Sequence, residues 1–313
     1  MAKYRIGIVG FGKIAQDQHV PAIRATPEFE LLAVSSTRGQ THPDATFFYT
    51  DYREMLAETP DLDAVAICTP PGPRRTIAAD CLAAGKHVLL EKPPAGTVTE
   101  VRDIADRAAA ARKVAFATWH AQHNEAVKRA RTALAGKTIK TLNVTWKEDL
   151  RRWHPGQDWI MTAGGFGVFD PGINALSILT RILPAPIFVT SAELSFPSNR
   201  EAPIAADLVF STGLTEGENL RAAFDWRQTG DQTWVIDIET GDGMVLKLSS
   251  GGSVLEIAGQ PRFAGQHDEY PDIYREFARL LDAGTSQVDA APFQLVADCF
   301  MLGRRVGVEA FTF

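Results

Sequence analysis

A chain of 313 residues with a net charge of -6 at pH 7 has no basic excess with which to hold nucleic acid or an anionic membrane surface. Its hydrophobic content of 45% and charged content of 22% are those of a globular protein, enough for one large or two ordinary domains. Cys68, Cys81 and Cys299 are odd in number and scattered, which speaks against a disulfide framework and a thiolate metal site alike.

The N-terminus goes from Met1-Ala2-Lys3 straight into a strand pattern, leaving no room for a signal peptide, and no apolar run approaches the ~20 residues that span a bilayer. A cytoplasmic protein is expected. The first element, Tyr4-Arg5-Ile6-Gly7-Ile8-Val9, leads directly into Gly10-Phe11-Gly12-Lys13-Ile14-Ala15. The first glycine permits a tight turn, the second lets backbone approach a pyrophosphate, and the small third residue lets helix pack on strand. The helix start then offers unpaired N–H groups and a positive dipole end to phosphate. Gly10, Phe11, Gly12, Lys13 and Ile14 are therefore candidate dinucleotide contacts.

Leu31 to Val34 reads as the second strand, and after it comes Ser35-Ser36-Thr37-Arg38-Gly39 where an NAD enzyme would place an acid for the ribose. Hydroxyls and a guanidinium suit a 2′-phosphate, because arginine presents a planar donor fork and no carboxylate repels the phosphate. Ser36, Thr37 and Arg38 thus point to NADP, with NAD also accepted; the plainer alternative is an arginine exposed in a polar loop. Phe47 to Tyr49 is a short third strand, Tyr52 to Leu56 a helix, and Ala64 to Cys68 a fourth strand. That strand ends in Thr69-Pro70-Pro71-Gly72-Pro73, too rich in proline to lie inside a sheet.

A helix then runs to Gly85, and His87 to Leu90 forms a buried strand that leaves through Glu91-Lys92-Pro93-Pro94. Proline biases its predecessor away from the helical region, so Lys92 is held extended at the carboxyl end of a strand, where open α/β sheets bind ligands. The alternative is a lysine snorkelling from a surface turn. Thr97 to Glu100 is a capping box opening a helix to Arg112, and Val114 to Trp119 supplies a sixth strand. Strands alternating with helices predict a doubly wound parallel sheet, with a domain boundary near residue 121 and domains at 1–121 and 122–313.

Beyond it, a helix from Asn124 to Gly136 leads to strands at 142–146, 191–196, 207–211, 220–226, 234–240 and 245–248, an α+β domain with a large, mostly antiparallel open sheet. Helices are expected at 271–281 and from Phe293 to Val306. Asp170 precedes Pro171, so it reads either as a helix N-cap or as a ligand group, with Asn174 one turn on and on the same side. Gly164, Gly165 and Gly167 before it either let backbone pass close to a ligand or form a flexible loop. Trp153, His154 and Trp159 offer the aromatic and polar surfaces a sugar requires, whereas Trp146, Trp226 and Trp234 read as core or interface. The histidines show no i, i+4 spacing that would form a metal site, and none is expected.

Taken together, GxGxxA at Gly10, the Thr69-Pro70-Pro71 turn, Ala84-Gly85-Lys86-His87-Val88-Leu89-Leu90-Glu91-Lys92-Pro93 and the glycine-rich run to Asp170 resemble the Gfo/Idh/MocA oxidoreductases over the whole chain. The resemblance implies a Rossmann domain binding NAD(P), with Thr69, Pro70, Pro71, Glu91 and Lys92 beside the cofactor. It also implies a C-terminal sheet domain that carries a sugar or polyol site and pairs subunits into a homodimer or homotetramer. The doubled proline after Lys92, Arg75, Trp153-His154-Pro155 and the run from Gly164 to Asn174 are similar to the bacterial aldose 1-dehydrogenases of L-arabinose and D-galactose. By that likeness Lys92, Glu148, Trp153, His154, Asp170 and Asn174 line the sugar site. Many members carry histidine where this chain has Asn174, and an amide is neither acid nor base near neutral pH. Proton transfer is therefore expected of Lys92, with Asp170, giving a lactone from a cyclic sugar. The rival expectations are an inositol or keto-sugar oxidoreductase and a non-catalytic nucleotide sensor.

Overall fold

The computed structural model describes residues 3–214, 219–266 and 268–313, and divides into two compact units. The first runs to His120 and takes back Asp268–Ala290, a segment that division by position in the sequence assigns to the second; the second begins at Ala121 and resumes from Ala291 to Phe313.

The first unit is built on six parallel strands, β1 Tyr4–Val9, β2 Phe29–Ser35, β3 Phe47–Tyr49, β4 Ala64–Ile67, β5 His87–Leu90 and β6 Ala115–Ala117. Their order is β3-β2-β1-β4-β5-β6, so the chain works outward from β1 in one direction and then returns to start again at β4. That reversal leaves a crevice at the carboxyl ends of β1 and β4, the place where doubly wound sheets take their ligands. All four residues of β4 are buried, as a strand covered on both faces by helices requires. The returning helix Glu269–Ala283 closes the core. Tyr270, Ile273, Tyr274 and Phe277 lie along one of its faces and pack with Ile6, Phe29 and Phe116. Gly284, at a φ of 62°, ends it in the left-handed conformation.

The second unit carries a nine-stranded sheet: β7 Ile139–Lys147, β8 Phe188–Pro197, β9 Ala205–Ser211, β10 Asn219–Asp225, β11 Thr233–Thr240, β12 Val245–Ser249, β13 Val254–Ile257, β14 Phe263–Ala264 and β15 Arg304–Val308. The order is β14-β13-β12-β11-β7-β10-β9-β8-β15; only β7 with β10 and β8 with β15 run parallel. Leu220, Ala222 and Phe224 of β10 are buried while their neighbours are not, the alternation of a sheet covered on one face. The helix Phe169–Ile182 is almost wholly buried, and Gly172 lets it lie close: a Cβ there would come within 2.7 Å of the Phe224 ring.

Two expectations change. The C-terminal helix does not reach Val306 but spans Ala291–Leu302, because Gly303 presses so near Cys299 and Leu194 that no side chain fits, and the chain turns into β15. Strands β13 and β14, which no strong alternation signals, complete the other edge.

Candidate active site

In the first unit the crevice is made by backbone. Gly10 has a φ of +87°, and a Cβ there would meet Thr69 N at 2.6 Å, so glycine is required where the end of β1 passes the end of β4. Beside Gly12, in contrast, a Cβ would meet nothing within 4 Å. Thr69 Oγ1 is buried without a hydrogen-bond partner among the described residues. An open glycine turn and an orphaned buried hydroxyl, together at the switch point, fit a dinucleotide pyrophosphate. At the end of β2, Ser36 is buried and its hydroxyl donates to Gln40 Oε1 at 3.1 Å, while the Arg38 backbone N–H donates to Ser36 Oγ at 3.3 Å. Thr37 and Arg38 are exposed, as a 2′-phosphate contact would have to be.

Lys92 is half-buried just past the end of β5, and the Lys92-Pro93 peptide is cis. Glu91 beside it turns inward. Its Oε1 accepts from Tyr270 Oη at 2.7 Å and from His19 Nε2 at 3.1 Å, and its Oε2 accepts the Lys92 backbone N–H at 2.7 Å. Burial alone would raise the Glu91 carboxyl, but His19, His120 and Tyr270 outweigh it and hold it well below the usual carboxylate range. Glu91 is thus an internal anion whose bonds go to this unit's own groups. His120 Nδ1 donates to Glu269 Oε2 at 3.2 Å; burial pushes the imidazole down, and Glu269 and Glu91 carry it above its ordinary value.

In the second unit the polar groups are held by other side chains. Glu148, buried, follows β7; its Oε1 accepts from Trp226 Nε1 at 3.1 Å and its Oε2 from Trp234 Nε1 at 2.8 Å. His154 Nε2 lies 3.3 Å from Asp170 Oδ2, and its ring meets that of Trp226 edge-on at 5.2 Å. Trp153 packs on Trp234 with centroids 5.9 Å apart and remains 43% exposed, an aromatic face turned to solvent beside buried acids. Glu148, Trp153, His154 and Asp170 are therefore one cluster, strung on Trp226 and Trp234. Asn174 follows Asp170 one turn on in the same helix.

Asp170 is not the N-cap that Pro171 suggested. The helix opens at Phe169 with Val168 as cap residue, leaving the Asp170 carboxylate to face His154. Two of the glycines before it serve packing, since a Cβ on Gly165 would run into Ile160 O and one on Gly167 into Pro203 O, whereas one on Gly164 would meet nothing within 4 Å. Trp226 and Trp234 read from the sequence as core or interface residues, since nothing near position 148 reveals which distant indole will reach it. Arg74, buried at the start of the helix Pro71–Ala83, was equally hidden, and it donates to the carbonyls of Glu91 and Pro93. Its neighbour Arg75 pairs with Asp103 at 2.7 Å. Among the described residues no group of three or more His, Cys, Asp or Glu is arranged to hold a metal ion, and no helix is long and apolar enough to cross a membrane.

Comparison with known proteins agrees with this fold. Residues 4–119 match the Gfo/Idh/MocA model, described as an oxidoreductase family with an NAD-binding Rossmann fold. A galactose 1-dehydrogenase of Pseudomonas fluorescens is 45% identical over 311 residues, 99% of each chain. The crystal structure of a D-galactose-1-dehydrogenase from Rhizobium etli is 50% identical with a TM-score of 0.92, covering 100% of this chain and 99% of that one. KijD10, a 3-ketoreductase from Actinomadura kijaniata crystallised with NADP and TDP-benzene, is 19% identical with a TM-score of 0.80 over 98% of this chain and 99% of that one, and shares the fold.

Proposed function

The chain belongs to the Gfo/Idh/MocA oxidoreductase family, and from that premise we propose that it is an NADP-linked aldose 1-dehydrogenase that oxidises D-galactose and L-arabinose at C1 to their lactones. The observation that carries this reading is the likeness to two galactose 1-dehydrogenases over 99% or more of this chain.

The first unit is an NAD(P)-binding Rossmann domain. When bound there, the nicotinamide supplies the acceptor for the hydrogen of C1. Gly10, Gly12 and Thr69 hold the pyrophosphate, with Phe11, Lys13, Ile14, Pro70 and Pro71 forming the walls of that turn. Ser36, Thr37 and Arg38 take the 2′-phosphate, and NAD is also accepted because the pyrophosphate site does not depend on them. Lys92 removes the proton of the C1 hydroxyl. The Glu148 carboxylate, held by the two indole N–H groups, is an acceptor for a sugar hydroxyl. His154 and Asp170, one paired to the other, supply a donor and an acceptor, and the Asn174 amide supplies both. Trp153 offers an aromatic face to the sugar's C–H surface. Three buried free cysteines accord with a cytoplasmic protein, and pairing of subunits through the nine-stranded sheet is part of the same reading.

The test is to follow reduced cofactor on mixing the protein with NADP⁺ or NAD⁺ and D-galactose, L-arabinose, D-glucose or myo-inositol. Galactose and arabinose share their ring hydroxyls at positions 2 to 4, so both should turn over. Glucose, inverted at C4, leaves a buried group unpaired and should fall ~10–100-fold in kcat/KM. Turnover of inositol without any aldose would make the chain a ring-hydroxyl oxidoreductase. Cofactor binding without turnover of any of them would make it a sensor.

A further inference from the structure

We infer that Arg74 and Glu91 are the positioning residues of Lys92: they fix the backbone on both sides of that lysine and so set the direction of its side chain. The inference rests on the reading of Lys92 as the proton acceptor. It adds Arg74, and it gives Glu91, which the family resemblance places beside the cofactor, a second role.

Strand β5 ends at Leu90, and the last ladder bond of its line is the Glu91 N–H to Ile67 O at 3.1 Å. From there the sheet no longer holds the chain, and side chains take over. The Lys92 N–H donates to Glu91 Oε2 at 2.7 Å. One nitrogen of the Arg74 guanidinium donates to both Glu91 O and Pro93 O, the carbonyls on either side of Lys92. Lys92 therefore sits in a loop whose two ends are tied to a single buried atom. Glu91 is anchored in turn by His19 and Tyr270, and Arg74 by its place in the first turn of the helix Pro71–Ala83.

A guanidinium only 4% exposed is costly to bury, and one nitrogen of this one serves two carbonyls at once. Arg75 next to it shows the contrast: it is a surface arginine whose partner is a half-exposed aspartate, a role any long cation could fill. Arg74 alone of the two reaches the Lys92 loop. A general base must lie within hydrogen-bond reach of its proton, and a displacement of ~1 Å can cost ~10²-fold in rate.

The experiment is a set of steady-state measurements on Arg74→Met, Arg74→Lys and Glu91→Gln, each made in the wild-type and in the Lys92→Met background, with circular dichroism to count folded protein. Arg74→Met should lower kcat ~10–100-fold per folded molecule with KM for NADP⁺ changed less than ~3-fold. Arg74→Lys, which keeps a single donor nitrogen, should recover part of the loss. In the Lys92→Met background Arg74→Met should cost nothing further, because the group it positions is gone. Equal fold losses in both backgrounds, or an unchanged kcat in the wild-type background, would overturn the inference. Should Arg74→Met not fold, Glu91→Gln carries the same comparison, since its amide nitrogen cannot accept the Lys92 N–H. A fully active Lys92→Met protein would instead overturn the proton-acceptor reading, and is recognisable whatever Arg74 does.

Discussion

The two units hold their working groups in place by opposite means. In the Rossmann unit the positions are set through the main chain: a glycine turn against Thr69, strand ends at the switch point, and a lysine whose flanking backbone is tied by the Arg74 and Glu91 side chains. In the sheet unit they are set by side chains bonding side chains, with Glu148 between two indoles and Asp170 against His154. A main-chain device tolerates changes of side chain around it, save those that bond the main chain itself, but not of the group it presents. A side-chain cluster fails piece by piece. Substitutions should therefore separate the units by which kinetic constant they move.

The largest effect is expected at Lys92. Lys92→Met removes the group that the whole turn presents and should lower kcat ~10²–10⁴-fold while leaving cofactor KM nearly unchanged. Initial rates with NADP⁺ and galactose, together with titration of cofactor fluorescence, would check both halves. A folded variant keeping more than a few per cent of the rate would take Lys92 out of the mechanism.

Next comes Arg38. Its guanidinium is exposed at the end of β2, and losing a charge-assisted bond to a phosphate costs ~1.5–3 kcal/mol, so Arg38→Ala should reduce kcat/KM for NADP⁺ ~10–100-fold. NAD⁺, which lacks the phosphate, should be almost unaffected. Equal losses with both cofactors would show that Arg38 does not meet the 2′-phosphate.

Glu148→Gln addresses the other unit. The amide oxygen can still accept one indole N–H, but the amide nitrogen would face the second indole donor to donor. An unsatisfied buried donor costs ~1–3 kcal/mol. The loss should appear as weaker sugar binding, a raised KM for galactose with cofactor KM unchanged, and a lower melting temperature. Glu148→Gln with wild-type sugar kinetics would remove Glu148 from the sugar site.

That contrast also decides what the sequence could disclose. Main-chain devices are local, so Gly10, Gly12, the prolines after Lys92 and the strand runs beside them were legible from their own neighbourhood. The alternation of the second half announced its sheet for the same reason. Side-chain clusters are long-range. Trp226 and Trp234 reach Glu148 across 78 and 86 residues, and no periodicity encodes that pairing. Asp170 looked like a cap because Asp-Pro favours one, whereas the helix begins a residue earlier at Phe169. The last strand was hidden because Arg304–Val308 pairs with Glu193–Pro197 more than a hundred residues away, while Met301 and Leu302 continue a helical pattern up to Gly303.

The smallest expected effect is on stability, and its sign follows from the pair beneath Lys92. Burial would push the His19 imidazole down, yet Cys68, Tyr274 and Glu91 outweigh it and hold His19 well above its ordinary value. A raised histidine stabilises the fold fully below its unfolded value of ~6.5, and that stabilisation is lost as pH rises through the folded value. Glu91 is held low, so its contribution is present above ~4.3 and is lost as pH falls through its depressed folded value. The pair therefore contributes most between ~pH 4.3 and ~pH 6.5. Melting temperatures of the wild type and His19→Gln, compared at pH 5.5, 7.5 and 9, should show a gap of a few degrees that is widest at pH 5.5 and closes toward pH 9. A gap independent of pH would mean that His19 is neutral in the fold, and that the Glu91 charge is held by Tyr270 and the Lys92 N–H without it.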